Sequence, residues 1–399
     1  MCARGLDRRT ILTVAGAGIV WIVGLSTPVA GDDTVGGEEQ RRFETDDPIQ
    51  STPAVVDDTV FFGSWDSNLY AVEVETGTER WRFETGDRVD SSPTVVDGTI
   101  FVGSNDNNLY AVDAETGTEQ WSFETDNPIQ SSPTEVDGTV FVGSDDNNLY
   151  AVDAETGSEQ WRFETDDRIQ SSPAVADGTV FVGSDDNNLY AVDAETGSEQ
   201  WRFETDDRIQ SSPAVVDDTA FVGSWDGNLY AVDAETGTEQ WSFETGDRVD
   251  SSPAIADGTV FVGSNDSNLY SIDAETGTGQ WRFETDDRVD SSPAVAGDTV
   301  FFGTRRMDGN LYAVDAGSGN GKWRFEPESG FFEPDDAVAS SPTVVDGTVF
   351  FGSTNGHLYA VDFSIDGTPG FGLLGALAGL VATGYLLKRR LDEPDAKKH

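Results

Sequence analysis

Apolar and polar residues alternate along most of this chain in short runs that never widen into a helical stripe. In "SSPAVADGTVFVGSDDNNLYAVDAETGSEQWRFETDDRIQ" (residues 171–210), the segments "SSPAVA", "TVFVGS", "NLYAVD" and "EQWRFET" read as four strands, rich in β-branched and aromatic residues. The pieces between them are turn formers: Asp177-Gly178, "DDNN" and "AETG". Four short strands in forty residues, joined by tight turns, predict one antiparallel β-propeller blade. A parallel β-helix is the alternative, but its coils are usually shorter and it does not call for hairpin dipeptides such as Asp-Gly.

The pattern recurs. Tryptophans stand at 81, 121, 161, 201, 241 and 281, a period of 40, and Trp323 follows 42 later. Ser-Ser-Pro begins at 91, 131, 171, 211, 251 and 291, with variants or copies at Ser51 and Ser340. Such a period is the mark of a repeat architecture, and eight units are expected over residues 41–363. The last unit, Ser340–Asp362, lacks its fourth strand, whereas "RRFETDDPIQ" near the start is a fourth strand without its first three. Arg41–Thr45 is therefore expected to complete the eighth blade and to remove the exposed sheet edges. The fold class is all-β, an eight-bladed propeller with four antiparallel strands per blade, followed by one transmembrane helix.

Ala111, Asp113, Gly117 and Trp121 form a block that resembles the tryptophan-docking motif of quinoprotein-type (PQQ-like) propellers. It recurs at Ala151/Asp153/Gly157/Trp161, Ala191/Asp193/Gly197/Trp201, Ala231/Asp233/Gly237/Trp241 and Ala313/Asp315/Gly319/Trp323. Glu73 replaces the Asp in unit one and Ser271 the Ala in unit six; the residue after the Gly, usually Lys in the family, is Thr, Ser or Asn. The resemblance implies that Trp81, Trp121, Trp161, Trp201, Trp241, Trp281 and Trp323 each stack on the backbone of a neighbouring blade.

Charge adds an environment. The chain carries 74 acidic and 24 basic residues, a formal charge of −50, and its only lysines are Lys322, Lys388, Lys397 and Lys398. This composition resembles that of proteins from extremely salt-loving archaea, where a Debye length of about 3 Å at 1 M salt screens the self-repulsion. It argues against nucleic acid as a partner. Cys2 is the single cysteine, so no intramolecular disulfide forms; His357 and His399 are the only histidines, which excludes multi-His metal sites. No catalytic, cofactor-binding or metal-binding residue is expected, and the chain is expected to be a monomer.

Both ends address the chain. Arg8-Arg9, the apolar run Ile11–Leu25 and Ala30-Gly31 make residues 1–31 resemble a twin-arginine export signal, followed by a linker at 32–40; an uncleaved anchor is the alternative. After a short linker at 364–370, Phe371–Leu387 is long enough to span a bilayer, and the basic tail 388–399 should stay in the cytoplasm. The propeller is then expected on the extracellular face of the membrane. Pro369-Gly370-Phe371 resembles the PGF-type sorting signal of archaeal surface proteins, which implies removal of the span by an archaeosortase and its replacement by a lipid. The missing Thr-rich linker and the trailing Leu391–His399 depart from that pattern, and a retained anchor is the alternative.

Function should lie where the repetition fails. The A–B and C–D turns, "DGT" and "AETG", share one face and hardly change. The other face carries the B–C turns and the blade-to-blade crossings, and there "TRRMDGN" in blade seven is two residues longer than its counterparts. The crossing "FEPESGFFEPDDAVASS" is seven longer. Arg305, Arg306, Phe331 and Phe332 are therefore the leading candidates for contact with a partner. Trp65 and Trp225, in equivalent turns on opposite sides of the ring, could grip a broad partner. Gln50, Asp90, Gln130, Gln170, Gln210, Asp250 and Asp290 should ring the channel mouth, with Arg88, Arg168, Arg208, Arg248 and Arg288 two residues earlier, as Asp–Arg pairs. "DDNNLYAVDAET" looks like a calcium loop but lacks the required Gly.

Three functions follow. The first is a non-catalytic surface binding or scaffold protein resembling BamB-type propellers, its partner an unknown envelope protein or surface ligand. The second is a quinone-dependent dehydrogenase, whose family members hold the quinone and a metal ion near the axis, many with a disulfide that this chain cannot form. The third is a structural surface-layer component.

Overall fold

A computed structural model of the chain describes residues 37–305, 309–327 and 337–363. The described residues form eight four-stranded antiparallel sheets and no helix. In blade four the strands are A (Ala174–Ala176), B (Thr179–Gly183), C (Asn188–Asp193) and D (Glu199–Glu204). The inner and middle strands are the buried ones, as β-branched and aromatic runs require; strand D alternates between half-buried and exposed positions. The expected transmembrane segment Phe371–Leu387 and the export signal at 1–31 lie outside the described residues, and among the described residues no helix is long and apolar enough to cross a membrane.

The docking expectation holds for all seven tryptophans. The Trp161 indole of blade three lies on Gly197 of blade four, so close that a Cβ there would sit 2.7 Å from its ring, and Gly197 adopts φ +69°, which favours glycine. The Trp161 indole N–H donates to the Ala194 carbonyl at 3.0 Å; Trp81, Trp121, Trp201, Trp241 and Trp281 repeat the bond at 3.0–3.1 Å. Edge-on rings add a second contact across each joint, as between Phe163 and Tyr190 with centroids 5.2 Å apart.

The Ser-Ser-Pro repeat has a structural use that its spacing did not reveal. The first Ser Oγ accepts the N–H of the last glycine of strand B, as Ser171 does from Gly183 at 3.1 Å. The second Ser Oγ accepts the N–H of its counterpart one blade back. This chain of bonds runs from Thr52 through Ser92, Ser132, Ser172, Ser212, Ser252 and Ser292 to Ser341, at 2.9–3.0 Å.

Closure occurs as expected. The strand Glu38–Glu44 pairs antiparallel with His357–Asp362, beginning three residues before the expected Arg41 because the ladder continues to the Glu38–Asp362 pair. Gly37, with φ +88°, stands where the docking glycines of other blades stand, and Trp323 packs on it. Its N–H donates to Asp362 O at 2.8 Å, as Gly197 does to Asp193 O. Blade eight thus keeps its C–D turn geometry although the chain is broken there. Arg41 occupies the tryptophan position, and its Nη1 donates to Val74 O at 2.9 Å in blade one. This is the one joint of the ring in which a guanidinium replaces the indole, and a shallow gap lined by Arg41, Phe43, Val72 and Gly77 marks it.

In blades one to six an aspartate staples the B–C turn, and in blade eight Asn355 takes its place. Asp186 accepts from the Asn188 N–H and side-chain amide at 3.0 Å, from the Tyr190 hydroxyl at 2.8 Å, and from the Asp166 N–H across the joint at 3.0 Å. The carboxylates of the calcium-like stretch are thereby occupied by protein donors. Burial, reinforced by the hydrogen bond to aspartate, raises the pKa of Tyr70, Tyr110, Tyr150, Tyr190, Tyr230 and Tyr270, that of Tyr270 to about 12. The folded state holds these protons more tightly than the unfolded chain, whose tyrosines titrate near ~10. The stabilisation is complete below ~10 and is lost as pH rises through the folded values. Thermal melts at fixed salt should show Tm falling between about pH 10 and pH 12; a flat Tm over that interval would remove the tyrosines from the stability account.

Candidate functional site

The mouth of the ring is built from two short segments per blade boundary. Every crossing presents a carbonyl that accepts the N–H of the residue at the tip of the next B–C turn. The pairs run Pro48–Trp65, Arg88–Asn105, Pro128–Asp145, Arg168–Asp185, Arg208–Trp225, Arg248–Asn265, Arg288–Arg305 and Ala337–Thr354, with N···O of 2.9–3.3 Å. The backbone is therefore constant while the side chains on it differ from blade to blade.

The expected Arg–Asp pairing is present with different partners. Arg88 pairs with Asp90 at 3.1 Å within its own crossing, but Arg168 and Arg208 both turn to Asp185, a turn residue, at 2.7 and 3.3 Å. Arg305 pairs with Asp290. Gln130 and Gln170 donate to Asp145 at 3.2 and 3.1 Å, and Gln210 donates to Gln170 at 2.9 Å. Burial pushes the carboxyls of Asp90, Asp145, Asp250 and Asp290 above the usual range, and the facing Arg and amide groups offset part of that shift. Among the described residues no group of three or more His, Cys, Asp and Glu is arranged to hold a metal ion.

Trp65 and Trp225 each carry arginine neighbours. Both sit at the mouth in blades one and five, as expected, but arginines occupy their rings. Arg88 lies over Trp65 at 4.8 Å, and the Trp65 indole donates to Asp90. Arg208 and Arg248 lie over Trp225 at 4.4 and 4.0 Å. Asn105 and Asn265 donate to Asp90 and Asp250 at 3.2 and 2.9 Å, so the same four residue types meet on opposite sides of the ring. The shared "GDRVD" at 86–90 and 246–250 was the available signal for this pairing.

Of the leading candidates, Arg305 is on the mouth, while Arg306, Phe331 and Phe332 lie outside the described residues. The two insertions attach on this same face. The longer one leaves the frame at Pro327 and rejoins it at Ala337, where Val338 bridges to Ser353 and packs on Gly303.

A family model described as outer membrane protein assembly factor BamB matches residues 13–136, 124–224 and 190–367. A PGF-CTERM motif matches residues 368–390. No curated protein matches the chain. Among solved structures, BamB from Moraxella catarrhalis is similar with a TM-score of 0.69 at 19% identity, covering 82% of this chain and 100% of that one. The computationally designed Ika8 protein gives 0.72 at 18% identity, with 82% and 100% covered. Quinohemoprotein alcohol dehydrogenase from Comamonas testosteroni gives 0.70 at 15% identity, with 84% and 78% covered. At these identities the likenesses bear on the fold alone.

Proposed function

Because the chain belongs to the family described as outer membrane protein assembly factor BamB and carries a PGF-CTERM motif, the mark of a membrane-anchored archaeal surface protein, we propose that it is a non-catalytic binding or scaffold protein displayed on the extracellular face. The observation that carries this reading is how the mouth uses its polar groups. Around most of the ring they hold one another and the blade joints in place, and the repeat is interrupted only beside Arg305 and between Pro327 and Ala337. A catalytic centre needs distinct residues at unique places, whereas a rigid ring with one irregular sector suits the presentation of a contact surface.

The test is affinity capture from envelope extracts in about 2–4 M salt, where exposed charges are well screened. The full chain is compared with a Phe331→Ser, Phe332→Ser variant. A discrete partner bound by the wild type and lost in the variant is expected. An unchanged captured set would sink the blade seven/eight site, and no saturable partner at all would favour a purely structural surface-layer role. A rise in Tm on adding pyrroloquinoline quinone, together with alcohol oxidation, would overturn the non-catalytic reading.

A further inference from the structure

Charge at the mouth is sorted by depth. Arg168, Arg208, Arg248, Arg288 and Arg305 follow one another from the blade three/four crossing to the turn of blade seven, a continuous arc. The arc opposite holds Ala337, Pro48, Arg88 and Pro128 at the equivalent crossing positions. Along the arc the carboxylates lie underneath: the side chains of Asp185 and Asp290 are 2% and 11% exposed, those of Arg168, Arg208 and Arg305 33–41%.

The acid that precedes four of these arginines is also tied to the backbone, although Arg208 still lies 3.9 Å from Asp207. The aspartate before each of four of them, Asp167, Asp207, Asp247 and Asp287, turns its Oδ1 to that arginine's backbone N–H at 2.7–2.8 Å. Among the described residues Arg248 and Arg288 have no carboxylate within ion-pair distance, in a chain with 74 acidic residues. Arg248 is exposed and lies against the Trp225 indole, which holds the guanidinium plane while leaving its N–H edge open.

An open guanidinium edge takes planar carboxylates in a two-point hydrogen bond. The shape of the site decides what can carry them. Exposed Asp166, Asp167, Asp206, Asp247 and Asp286 share this face, so a flat anionic surface or a densely charged polymer meets those carboxylates as well as the arginines. A narrow chain that reaches the arc with single carboxylates does not suffer that repulsion to the same degree. We propose that the arc Arg168–Arg208–Arg248–Arg288–Arg305 is a docking surface for an acidic polypeptide segment, engaged chiefly through Arg248 and Arg288. This rests on the binding-protein reading above and names the chemistry of the partner; the Phe331/Phe332 capture can succeed while the arc fails, so the two are separable.

The full chain in neutral detergent and about 2 M KCl is titrated into a fluorescent oligoglutamate peptide and followed by anisotropy. Saturable binding is expected, with no binding of the matching oligoglutamine. An Arg248→Gln, Arg288→Gln variant should bind at least about tenfold more weakly, with its melting curve unchanged. Arg88→Gln, outside the arc, should stay within about twofold. Arg248→Lys should be intermediate, because a lysine keeps the charge but not the fork. Absence of binding by the wild type, or equal binding by the double variant, overturns the proposal. Tighter binding of heparin or of phosphatidylglycerol vesicles than of oligoglutamate overturns the polypeptide assignment. Concentration-dependent self-association abolished by the double variant would assign the arc to a second copy of this chain instead.

Discussion

Replacing Trp161 by alanine is expected to destabilise the propeller by about 3 kcal/mol and to lower Tm by roughly 5–10 °C. The side chain is half-buried, which places it at the low end for a deleted aromatic, but it serves three contacts at once. It covers Gly197, donates to Ala194 O at 3.0 Å, and lies 5.7 Å from the Phe141 ring. Two of these belong to blade four, so the deletion weakens a joint rather than a blade interior. In a ring whose blades contact only their neighbours, a weak joint is felt by the whole structure. Trp161→Phe should keep most of the packing and lose the indole bond, a cost of about 1 kcal/mol plus a partial packing loss. Gly197→Ala should reproduce much of the alanine effect from the other side, because its Cβ would meet the indole at 2.7 Å and its φ of +69° suits glycine. Thermal melts at one fixed high salt concentration decide the matter. A Trp161→Ala protein melting with the wild type would mean that the joints do not hold the ring.

Deleting residues 37–45 should have a larger effect still. The deletion removes the ladder of Glu38–Glu44 on His357–Asp362, the Gly37 platform under Trp323 and the Arg41 bond to Val74. It also removes Phe43, whose ring stands 5.9 Å from Phe62 and 5.5 Å from Tyr70 of blade one. The strand His357–Asp362 then becomes an open edge, and open edges recruit other chains. Size-exclusion chromatography should show soluble association or aggregation, and melts should show a Tm well below that of Trp161→Ala. Phe43→Ala keeps the ladder and should cost about 3 kcal/mol without association. A deleted protein that stays monomeric and melts within a few degrees of the full chain would show that closure is not what holds the ring.

The joint between blades eight and one is the weaker partner in this picture. Arg41 reaches the Val74 carbonyl that an indole would reach, but its flexible stem does not cover Gly77 as a ring would. The nearest Arg41 atom to a Cβ at Gly77 would be 3.9 Å away, against 2.7 Å for Trp161 at Gly197. Opening of the ring is therefore expected to begin there.

Much of the fold was legible because its causes are local. Alternation of β-formers, the Asp-Gly and "AETG" turns, and a tryptophan every 40 residues specify strands, hairpins and a repeat wherever they occur. The count of eight and the closing role of the N-terminal strand followed from what was left over at each end. The use of the Ser-Ser-Pro hydroxyls was missed, although a small hydroxyl retained in nearly every unit beside a proline was a signal that it bonds backbone. The candidate site was legible only in outline. Sequence length marked the irregular sector at Arg305 and put Trp65 and Trp225 in equivalent turns, but it did not show the arginines that lie over their rings.

What the sequence by itself determined is therefore the blade, the number of blades and the way the ring closes, since each depends on contacts between neighbours in the chain or on a strict period. What only the tertiary structure decided is the pairing at the mouth. Arg208 and Arg248 meet on Trp225, and Arg168 and Arg208 meet on Asp185, because successive crossings are brought side by side by the rotation from one blade to the next. Residues 40 positions apart become neighbours there, and no local pattern says which of several carboxylates a guanidinium will reach.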